Sequence, residues 1–510
     1  MYAAPVSRQY ITTAIDYPNA APHMGHVLEK VLADVCARWM RLKGGQVRFQ
    51  IGTDEHGIKI QQTAEKEGLT PKQLVDRNVP LFQGLYERLG ISADIFIRTS
   101  DKIVHWPTVL ELWKKLEKAG VLEKRTYTGL YCSGCERFIT KKELVDGLCP
   151  DHKIAPQEVK EENWFFLLSK EQAWLQKLLE KEYRIVPEFR AKETRTLLDG
   201  GLEDVSFSRP TSSLSWGVPV PGHEEQTMYV WCDALTNYIS GLGFFTDHEQ
   251  GEFWNDATVT HVIGKDIARF HALIWPAMLK HAGVRPPDRL LIHGFLTSEG
   301  QKMSKSIGNV VAPQDVIAKY GVDALRFFLS HEIPVGNDGD FSWKRFGELY
   351  DAKLRNQLGN LLNRVLVLLK KEGGAVRVPE GATDASRAAD GWKDFAKKMD
   401  AFDLHGAIQQ AFDLVSALNM GFDKAAPWKL QGEERLAMLS RFAESLRHAA
   451  LLLLPFMPET AQKITQQLNV SYVGAMLDRD FVITAAMKEW GGEKDWSAVG
   501  EPSILFAPVE

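Results

Sequence analysis

Two lysines three residues apart stand in a loop of small and polar residues, TSEGQKMSKSIGN. Lys302 and Lys305 offer ammonium groups there, while Gly300 and Gly308 allow the backbone to approach a ligand closely. A solvated surface loop has the same composition, because lysines are usually exposed and Ser/Gly clusters usually mark turns. Whether this loop binds an anion depends on what else reaches it.

Two histidines flank a glycine in NAAPHMGH, near the start of the chain. His23, Gly25 and His26 follow the predicted strand QYITTAI and open a predicted helix. In open parallel sheets, ligands bind at the carboxyl ends of strands, beside helix N-termini that favour phosphate. Two surface histidines in a turn are the alternative, but the placement favours a phosphate site, and the lysine loop follows a strand ending at the same edge.

A further turn of this kind occurs in VIGKD. Gly264 permits close backbone approach, and Asp266 can accept hydrogen bonds from ribose hydroxyls. Together the turns and the lysine loop predict a nucleotide site. It is not a Walker loop, because the chain has no G-x-x-x-x-G-K-[ST].

Three of the five cysteines lie close together. Cys132 and Cys135 in YCSGC, and Cys149 and His152 in GLCPDH, form two pairs, each separated by two residues. This spacing fits tetrahedral Zn²⁺, and thiolates favour zinc over Ca²⁺ or Mg²⁺. Unliganded thiols are the alternative. Because all four positions are filled, we predict one structural zinc per chain rather than a catalytic one.

Strand, helix and strand alternate in two parts of the chain. The first part is QYITTAI, a helix over 25–43 and QVRFQIG, and the second is TVTHVIG, KDIARFHALIWPAML and RLLIHGF. The segment between them has no such rhythm, and the chain from about residue 340 is helical. These patterns predict an α/β fold, in which a Rossmann-like parallel sheet is split by a zinc-containing insertion and followed by an α-helical bundle.

The bulk composition is ordinary for a globular protein. Hydrophobic residues make up 45% and charged residues 25%, and the formal net charge of -5 still allows a local basic face. No apolar run approaches the ~18 residues needed to span a bilayer, and no secretory signal is recognisable. We therefore expect a cytoplasmic protein with no membrane partner.

The strings PHMGH and KMSKS, in this order and separated by an insertion, resemble the HIGH and KMSKS signatures of class I aminoacyl-tRNA synthetases. Met24 stands where that pattern has Ile or Leu. The strings TTAIDYPN, GTDEHG, YVWCDALTNY, LGNLLNR and DKAAPW are similar to the methionyl branch of the family from end to end. The resemblance implies a catalytic role for His23, His26, Lys302 and Lys305, and ATP binding by Gly25, Gly264, Asp266 and Lys305.

The implied reaction is activation of L-methionine by ATP, with Mg²⁺, to methionyl-adenylate and pyrophosphate. The methionyl group then passes to the 3'-terminal adenosine of tRNA(Met), initiator and elongator, so we expect ATP, methionine and tRNA as partners. Positioning and charge stabilisation suit this reaction better than a nucleophilic side chain.

The resemblance also implies a methionine pocket. Asp54 would take the ammonium group, and aromatic walls suit a thioether, although any one such aromatic alone is more typical of a core. Asp16 stands where the family often has an aromatic residue, at the edge of this pocket. The implied walls of the methionine pocket are Ile15, Tyr17, Trp231, Ala234, Leu235, Tyr238, Ile267, His271 and Trp275.

Three residues in the helical part resemble the family's readers of the methionine anticodon. Asn360 and Arg364 are four apart and therefore share a helix face, and Trp428 follows Pro427 at a break. Unpaired bases are held by stacking on an aromatic ring or a guanidinium group. Helix packing for the tryptophan and solvated polarity for the pair are the alternative. We refer to Asn360, Arg364 and Trp428 as the candidate anticodon surface.

These assignments divide the chain into five parts. We also expect a monomer, because the chain ends soon after the helical bundle, without the dimerising tRNA-binding extension of some relatives. The parts are a Rossmann-like first half at 1–119, a zinc-knuckle insertion at 120–225, a second catalytic half at 226–295, the KMSKS loop and stem-contact region at 296–345, and a helical anticodon-binding domain at 346–510.

Two other functions remain open at this stage. A class I synthetase for leucine or valine would carry an editing insertion larger than the ~100 residues available here, and the cysteine enzyme would place zinc in its catalytic core. A non-catalytic zinc and RNA-binding module would leave the nucleotide site unexplained, and a lack of ATP-pyrophosphate exchange would favour it.

Overall fold

The computed structural model describes residues 7–132, 137–139, 143–150, 153–302, 310–493, 496 and 498–509. The strands in these ranges are, in chain order, β1 (Arg8–Thr13), β2 (Gln46–Thr53), β3 (Ile95–Arg98), β4 (Leu122–Cys132), β5 (Arg137–Ile139), β6 (Gln157–Phe166), β7 (Arg184–Val186), β8 (Val205–Ser206), β9 (Ser208–Pro210), β10 (Pro219–Val220), β11 (His223–Met228), β12 (Ala257–Gly264), β13 (Arg289–His293), β14 (Leu296–Ser298), β15 (Gln301–Lys302) and β16 (Gly339–Phe341).

The α-helices of the same ranges are α1 (Met24–Leu42), α2 (Ile58–Lys66), α3 (Pro71–Arg88), α4 (Trp106–Lys118), α5 (Gln172–Lys181), α6 (Glu188–Asp199), α7 (Val230–Leu235), α8 (Asn237–Ser240), α9 (Glu252–Asn255), α10 (Trp275–Ala282), α11 (Pro313–Tyr320), α12 (Val322–Glu332), α13 (Trp343–Leu349), α14 (Asn360–Lys371), α15 (Ala382–Asp400), α16 (Leu404–Ala425), α17 (Gly432–Leu453), α18 (Pro458–Leu468) and α19 (Ala485–Lys488). None of the described helices combines the length and apolarity needed to cross a membrane.

The central sheet has six parallel strands in the order β3-β2-β1-β12-β13-β7. Neighbouring β1 and β12 come from the two predicted halves of the sheet, with Arg8 opposite Ala257. This confirms the α/β fold with a Rossmann-like sheet, and α1 matches the predicted first helix. Because all strands run the same way, the turns after β1, β2, β12 and β13 meet at one edge.

The segment between the two halves forms a separate antiparallel sheet, β5-β4-β6-β8, and a smaller one, β10-β11-β9. The same segment also returns one short strand, β7, to the edge of the central sheet, where Arg184 pairs with Arg289. The insertion is therefore anchored in the catalytic sheet, a feature that its sequence did not indicate.

The run predicted as one helix after β12 is divided into three parts. A 3-10 turn over Lys265–Ile267 is followed by a π-helical segment over Phe270–Ile274, and only then by α10. π-Helical turns widen a helix and occur frequently at functional sites. The residues in this run lie at the carboxyl edge of β12.

The helices from α14 onward form the predicted bundle and share a hydrophobic core with α1 and α12. Buried Arg326 joins the bundle to the sheet domain: its guanidinium group donates to the carbonyl of Phe456 at 2.8 Å and to Asp34 on α1 at 2.7 Å. Trp39 of α1 donates to Asp400 of α15 at 2.7 Å. Because Arg326 and Asp34 are buried as a hydrogen-bonded ion pair, they fix the orientation of the helical bundle relative to the sheet domain.

Candidate active site

The predicted histidines lie at the N-terminus of α1. The His23 imidazole accepts a hydrogen bond from the Gly25 N–H at 3.1 Å, and His26 Nδ1 accepts from the His23 N–H at 3.1 Å. The two rings stack with centroids 3.9 Å apart. A Cβ on Gly25 would lie 3.0 Å from His23 Cε1, so the glycine leaves room for this reciprocal cap.

His26 is a neutral imidazole at neutral pH. Burial and, to a smaller degree, the nearby Lys30 ammonium lower the pKa of His26 to about 3. Since its Nδ1 accepts from the backbone, the ring proton is on Nε2. A neutral donor beside the free N–H groups of a helix N-terminus suits phosphate oxygens.

Asp54 and Asp16 lie side by side where β2 and β1 end. The Asp54 N–H donates to the Asp16 carbonyl at 2.8 Å, and the Asp16 N–H donates to the Gly52 carbonyl at 2.9 Å. Both carboxylates are buried. The predicted ammonium acceptor therefore sits in the same turn region as Ile15 and Tyr17, two walls of the methionine pocket.

Hydrogen bonds hold several of the residues predicted to form the methionine pocket. His271 Nδ1 donates to the Ile267 carbonyl at 3.0 Å, so Nε2 accepts from the Tyr238 hydroxyl at 2.6 Å. Burial lowers the pKa of His271 to about 4, which keeps this ring neutral. Buried Trp275 donates to His261 at 3.2 Å. These contacts fix the aromatic side chains that a thioether would touch.

The structure brings the predicted pocket residues of the second sheet half together in one hydrophobic cluster, which includes Leu235, Tyr238, Trp275 and, at its edge, Trp231 and Ile267, whereas Tyr17 packs in a separate cluster with Ile60 and Ala64. Ala234 and Leu235 are buried on α7, and half-buried Trp231 stacks on Phe270 with centroids 3.8 Å apart and planes 9° apart. Sequence reasoning missed Phe270. Its place between Ile267 and His271 in one helical run was the available signal.

A second buried cluster was also missed. Asp233 accepts from His56 Nδ1 at 2.6 Å and from His105 Nε2 at 2.7 Å, and His105 Nδ1 lies 2.7 Å from Ser240 Oγ. Burial raises the pKa of Asp233, but His56 and His105 together lower it by more, to about 2. The cluster joins the GTDEHG turn, the N-terminus of α4 and α7.

The turns after β12 and β13 hold further residues of the predicted nucleotide site and its surroundings. Gly264 ends β12. A Cβ atom at this position would lie 2.7 Å from Asp266 Oδ1, so any other residue here would displace the Asp266 carboxylate. Lys265 donates to both oxygens of Asp338 at 2.7 Å. His293, at the end of β13, lies 3.3 Å from Glu29 of α1 through its Nε2.

The lysine loop starts from a tight hairpin. Strands β14 and β15 pair antiparallel around Glu299 and Gly300, which both have positive φ, and Asp340 accepts from the Gly300 N–H at 2.8 Å. Strand β14 also pairs with β16, beside the carboxyl end of β13. The Lys302 backbone belongs to β15, whereas Lys305 lies outside the described residues.

Two of the four predicted zinc ligands are described. Cys132 and Cys149 are both fully buried and belong to one small cluster with Ile139. The other two, Cys135 and His152, lie outside the described residues, and the ranges that are described contain no group of three potential ligands. Two thiols gathered in one buried cluster fit a thiolate metal site.

The candidate anticodon surface is assembled on α14 and the turn after α16. The Arg364 guanidinium lies 5.5 Å from the Trp428 ring centroid and 4.6 Å from that of Phe422, and it donates to Asp423 at 2.8 Å. Trp428 is 47% exposed, and Asn360 is exposed one turn before Arg364. An exposed indole beside an oriented guanidinium forms a stacking platform.

The sheet order, the split by an insertion and the site at its carboxyl edge define a class I tRNA synthetase. The family model described as tRNA synthetases class I (M) matches residues 9–158 and 153–366. The chain is 42% identical to the methionine--tRNA ligase of Mycobacterium leprae over 90% of its length and 89% of that relative. It is 39% identical to the enzyme of the same name from Fusobacterium nucleatum, over 98% of this chain and 80% of that one.

A solved structure agrees with these relatives. Mycobacterium tuberculosis methionyl-tRNA synthetase in complex with methionyl-adenylate superimposes with a TM-score of 0.89 at 36% identity, covering 99% of this chain and 100% of the other. The chain belongs to the methionine--tRNA ligase family.

Proposed function

We propose that this chain activates L-methionine with ATP and transfers it to the 3'-terminal adenosine of tRNA(Met). The observation that carries the proposal is the meeting of two sites at one sheet edge: the histidine-capped N-terminus of α1 and the hydrogen-bonded methionine pocket. Family membership supports the same reaction. Ranges 1–119 and 226–295 would carry activation, and 346–510 would read the tRNA.

In the first step, a methionine carboxylate oxygen attacks the α-phosphorus of ATP. The new O–P bond forms as the bond to the β-phosphate breaks, and pyrophosphate leaves. In the second step a ribose hydroxyl of the tRNA attacks the methionyl carbonyl, and AMP leaves. Mg²⁺ accompanies ATP and neutralises phosphate charge. Within the chain, His23 and His26 would bind phosphate oxygens, and Lys302 and Lys305 would hold them from the opposite side.

Methionine selection would rest on shape and on one charge. Asp54 would pair with the substrate ammonium, while the aromatic walls would enclose the thioether. Excluding or adding one methylene in an apolar pocket discriminates by ~1 to 3 kcal/mol, so the walls must be rigid. The hydrogen bonds of Tyr238, His271 and Trp275 supply that rigidity.

We further propose that Cys132, Cys135, Cys149 and His152 bind one structural Zn²⁺. The shared burial of Cys132 and Cys149 supports this, and zinc would hold the turns of the insertion where the apolar cluster is small. Cys149→Ser should lower the zinc content of the purified protein from one per chain towards zero, whereas buried Cys36→Ser on α1 should leave it unchanged. An unmutated protein without zinc would refute the site.

The use of both initiator and elongator tRNA(Met) and the monomeric state also stay proposals. A single species of one chain mass in analytical ultracentrifugation, at concentrations used for catalysis, is the result expected for a monomer. A stable dimer under those conditions would overturn it.

The direct test of the proposed function is aminoacylation. With ATP and Mg²⁺, the protein should attach labelled methionine to a tRNA(Met) transcript, and omission of ATP should abolish the product. A transcript of another tRNA with its own anticodon serves as control. Absence of methionyl-tRNA in the complete reaction would refute the proposal.

A further inference from the structure

Lys30 is a fully buried lysine at the centre of the candidate active site. It lies on α1 one turn after His26, and its side chain has no exposed surface. The Nζ atom donates three hydrogen bonds: to the Ala14 carbonyl at 2.9 Å, to Asp16 Oδ1 at 2.9 Å and to Glu29 Oε1 at 2.8 Å. The ammonium group thus uses all three of its donors inside the protein.

The acceptors of Lys30 belong to the part of β1 and its turn that borders the methionine pocket. Asp16 also accepts from the Tyr86 hydroxyl of α3 at 2.5 Å, and its carbonyl accepts the Asp54 N–H at 2.8 Å. Ala14 and Asp16 flank Ile15, one of the pocket walls. Lys30 therefore contacts both sequence neighbours of Ile15, and one of them, Asp16, is bonded to the backbone of Asp54.

The network extends to the second half of the sheet. The second oxygen of Glu29 lies 3.3 Å from His293 Nε2 at the end of β13, and His293 Nδ1 lies 2.7 Å from the Gly294 carbonyl oxygen. A chain of polar contacts therefore runs from the turn after β1, through Lys30 and Glu29, to the strand that precedes the lysine loop. It crosses the split in the catalytic domain.

A charged lysine in this position is costly unless its partners compensate. Burial lowers the pKa of Lys30, but Asp16 and Glu29 more than offset this and raise it, so the group is charged at neutral pH. Burial raises the pKa of Asp16 to about 6, against the opposing effect of Lys30. An apolar side chain would fill the same space and would need no buried carboxylates to compensate for its desolvation. The buried charge of Lys30 therefore points to a role beyond packing.

We infer that Lys30 is a positioning residue for methionine binding, which holds the turn after β1 and, through Asp16, the Asp54 carboxylate in place for the substrate ammonium. This inference rests on the proposed function. Lys30 bonds directly to Ala14 and Asp16 in the turn after β1, whereas it reaches the predicted ATP side through Glu29 and His293, so loss of its ammonium group should affect methionine far more than ATP. Supporting residues of this kind fix the groups that touch substrate.

The test is the KM for each substrate in methionine-dependent ATP-pyrophosphate exchange. Lys30→Met should raise the KM for methionine tenfold or more and that for ATP less than about threefold. Because this variant leaves two carboxylates buried without their cation, its folding is at risk. Asp16→Asn/Lys30→Met leaves only Glu29 without the ammonium group, and Glu29 keeps its contact with His293, so this variant should fold while keeping the raised KM for methionine.

Two further variants complete the design. Arg38→Met removes an ion pair with Asp34 two turns along α1 and should leave both KM values unchanged. Asp16→Asn alone keeps Lys30 with Glu29 and should raise the KM for methionine by a smaller factor. The inference is overturned if the double variant has the KM for methionine of the unmutated protein, or if both KM values rise equally. No exchange by the unmutated protein would instead refute the proposed function, and the inference with it.

Discussion

Several polar side chains at the carboxyl edge of the central sheet, among them Lys30, Asp233 and His271, are buried and hydrogen-bonded, whereas those of the candidate anticodon surface are exposed or half-buried. Lys30, Asp233 and His271 each have their hydrogen-bonding groups directed at other side chains or carbonyls. Trp428 presents half of its ring to solvent, with Arg364 beside it. A pocket for a small amino acid needs rigid walls, while a surface for unpaired bases needs free aromatic and guanidinium faces.

This difference predicts how substitutions behave. Changes at the sheet edge should alter adenylate formation and, where a buried charge loses its partner, stability as well. Changes on the candidate anticodon surface should alter tRNA charging alone. Four experiments test whether the two regions differ in this way.

The largest effect is expected at the lysine loop. Lys305→Ala should slow ATP-pyrophosphate exchange by about 10² to 10³-fold, because removal of one charge stabiliser of a transition state costs this much in other enzymes. The KM for methionine should hardly change. Lys463→Ala, at an exposed lysine of α18, is the matched control and should keep the normal rate. An unchanged rate in Lys305→Ala would remove this residue from the active site.

On the candidate anticodon surface, Trp428→Ala should weaken tRNA charging tenfold or more while exchange stays near normal. Stacking is worth roughly 1 to 3 kcal/mol per base, which corresponds to this loss. Trp428→Phe keeps an aromatic face and should retain most of the charging activity. Equal loss of charging and exchange would mean that the indole supports the fold, and loss of neither would place the anticodon elsewhere.

The buried site should also titrate in acid. The pKa of His271 is about 4 in the folded protein and near its usual 6.5 when unfolded, so between these values the unfolded state binds the extra proton. The neutral His271 ring therefore makes its full contribution to stability above pH 6.5, and this contribution is lost as the pH falls through 4. The free energy of unfolding, measured in urea, should fall between pH 6.5 and pH 4 in both proteins. The fall should be steeper for the unmutated protein than for His271→Gln, by up to about 1.4 kcal/mol per pH unit. Equal slopes would contradict a neutral buried ring.

The smallest effect is expected for the carboxylate that holds Arg364. Asp423 is exposed, and exposed ion pairs contribute ~0.2 to 1 kcal/mol, so Asp423→Ala should lower tRNA charging by less than about fivefold. Exchange should not change. If charging instead fell as far as in Trp428→Ala, the orientation of Arg364 would matter as much as the stacking surface itself.

Much of this architecture was predictable from local pattern. The alternation of strands and helices predicted the parallel sheet. The position of His23 and His26 directly after a strand predicted that they lie at the carboxyl edge of that sheet. The step of four between Asn360 and Arg364 predicted a shared face. Such features depend on residues close in sequence.

The rest depends on contacts between distant residues. Lys30 falls in a helical pattern where a lysine is normally solvated, and its burial depends on Ala14 and Asp16, which belong to β1 and its turn and meet it only in three dimensions. Asp233 and His105 are 128 residues apart. Strand β7 has only three residues, too few to show an alternation of apolar and polar side chains, so only its pairing with β13 identifies it as a strand.

We infer that methionine is activated at the carboxyl edge of the sheet. The decisive measurement is ATP-pyrophosphate exchange by the unmutated protein with each of the twenty amino acids in turn. We predict rapid exchange with methionine and exchange at or near background with the other nineteen. No exchange with any amino acid, or faster exchange with one other than methionine, would contradict the account.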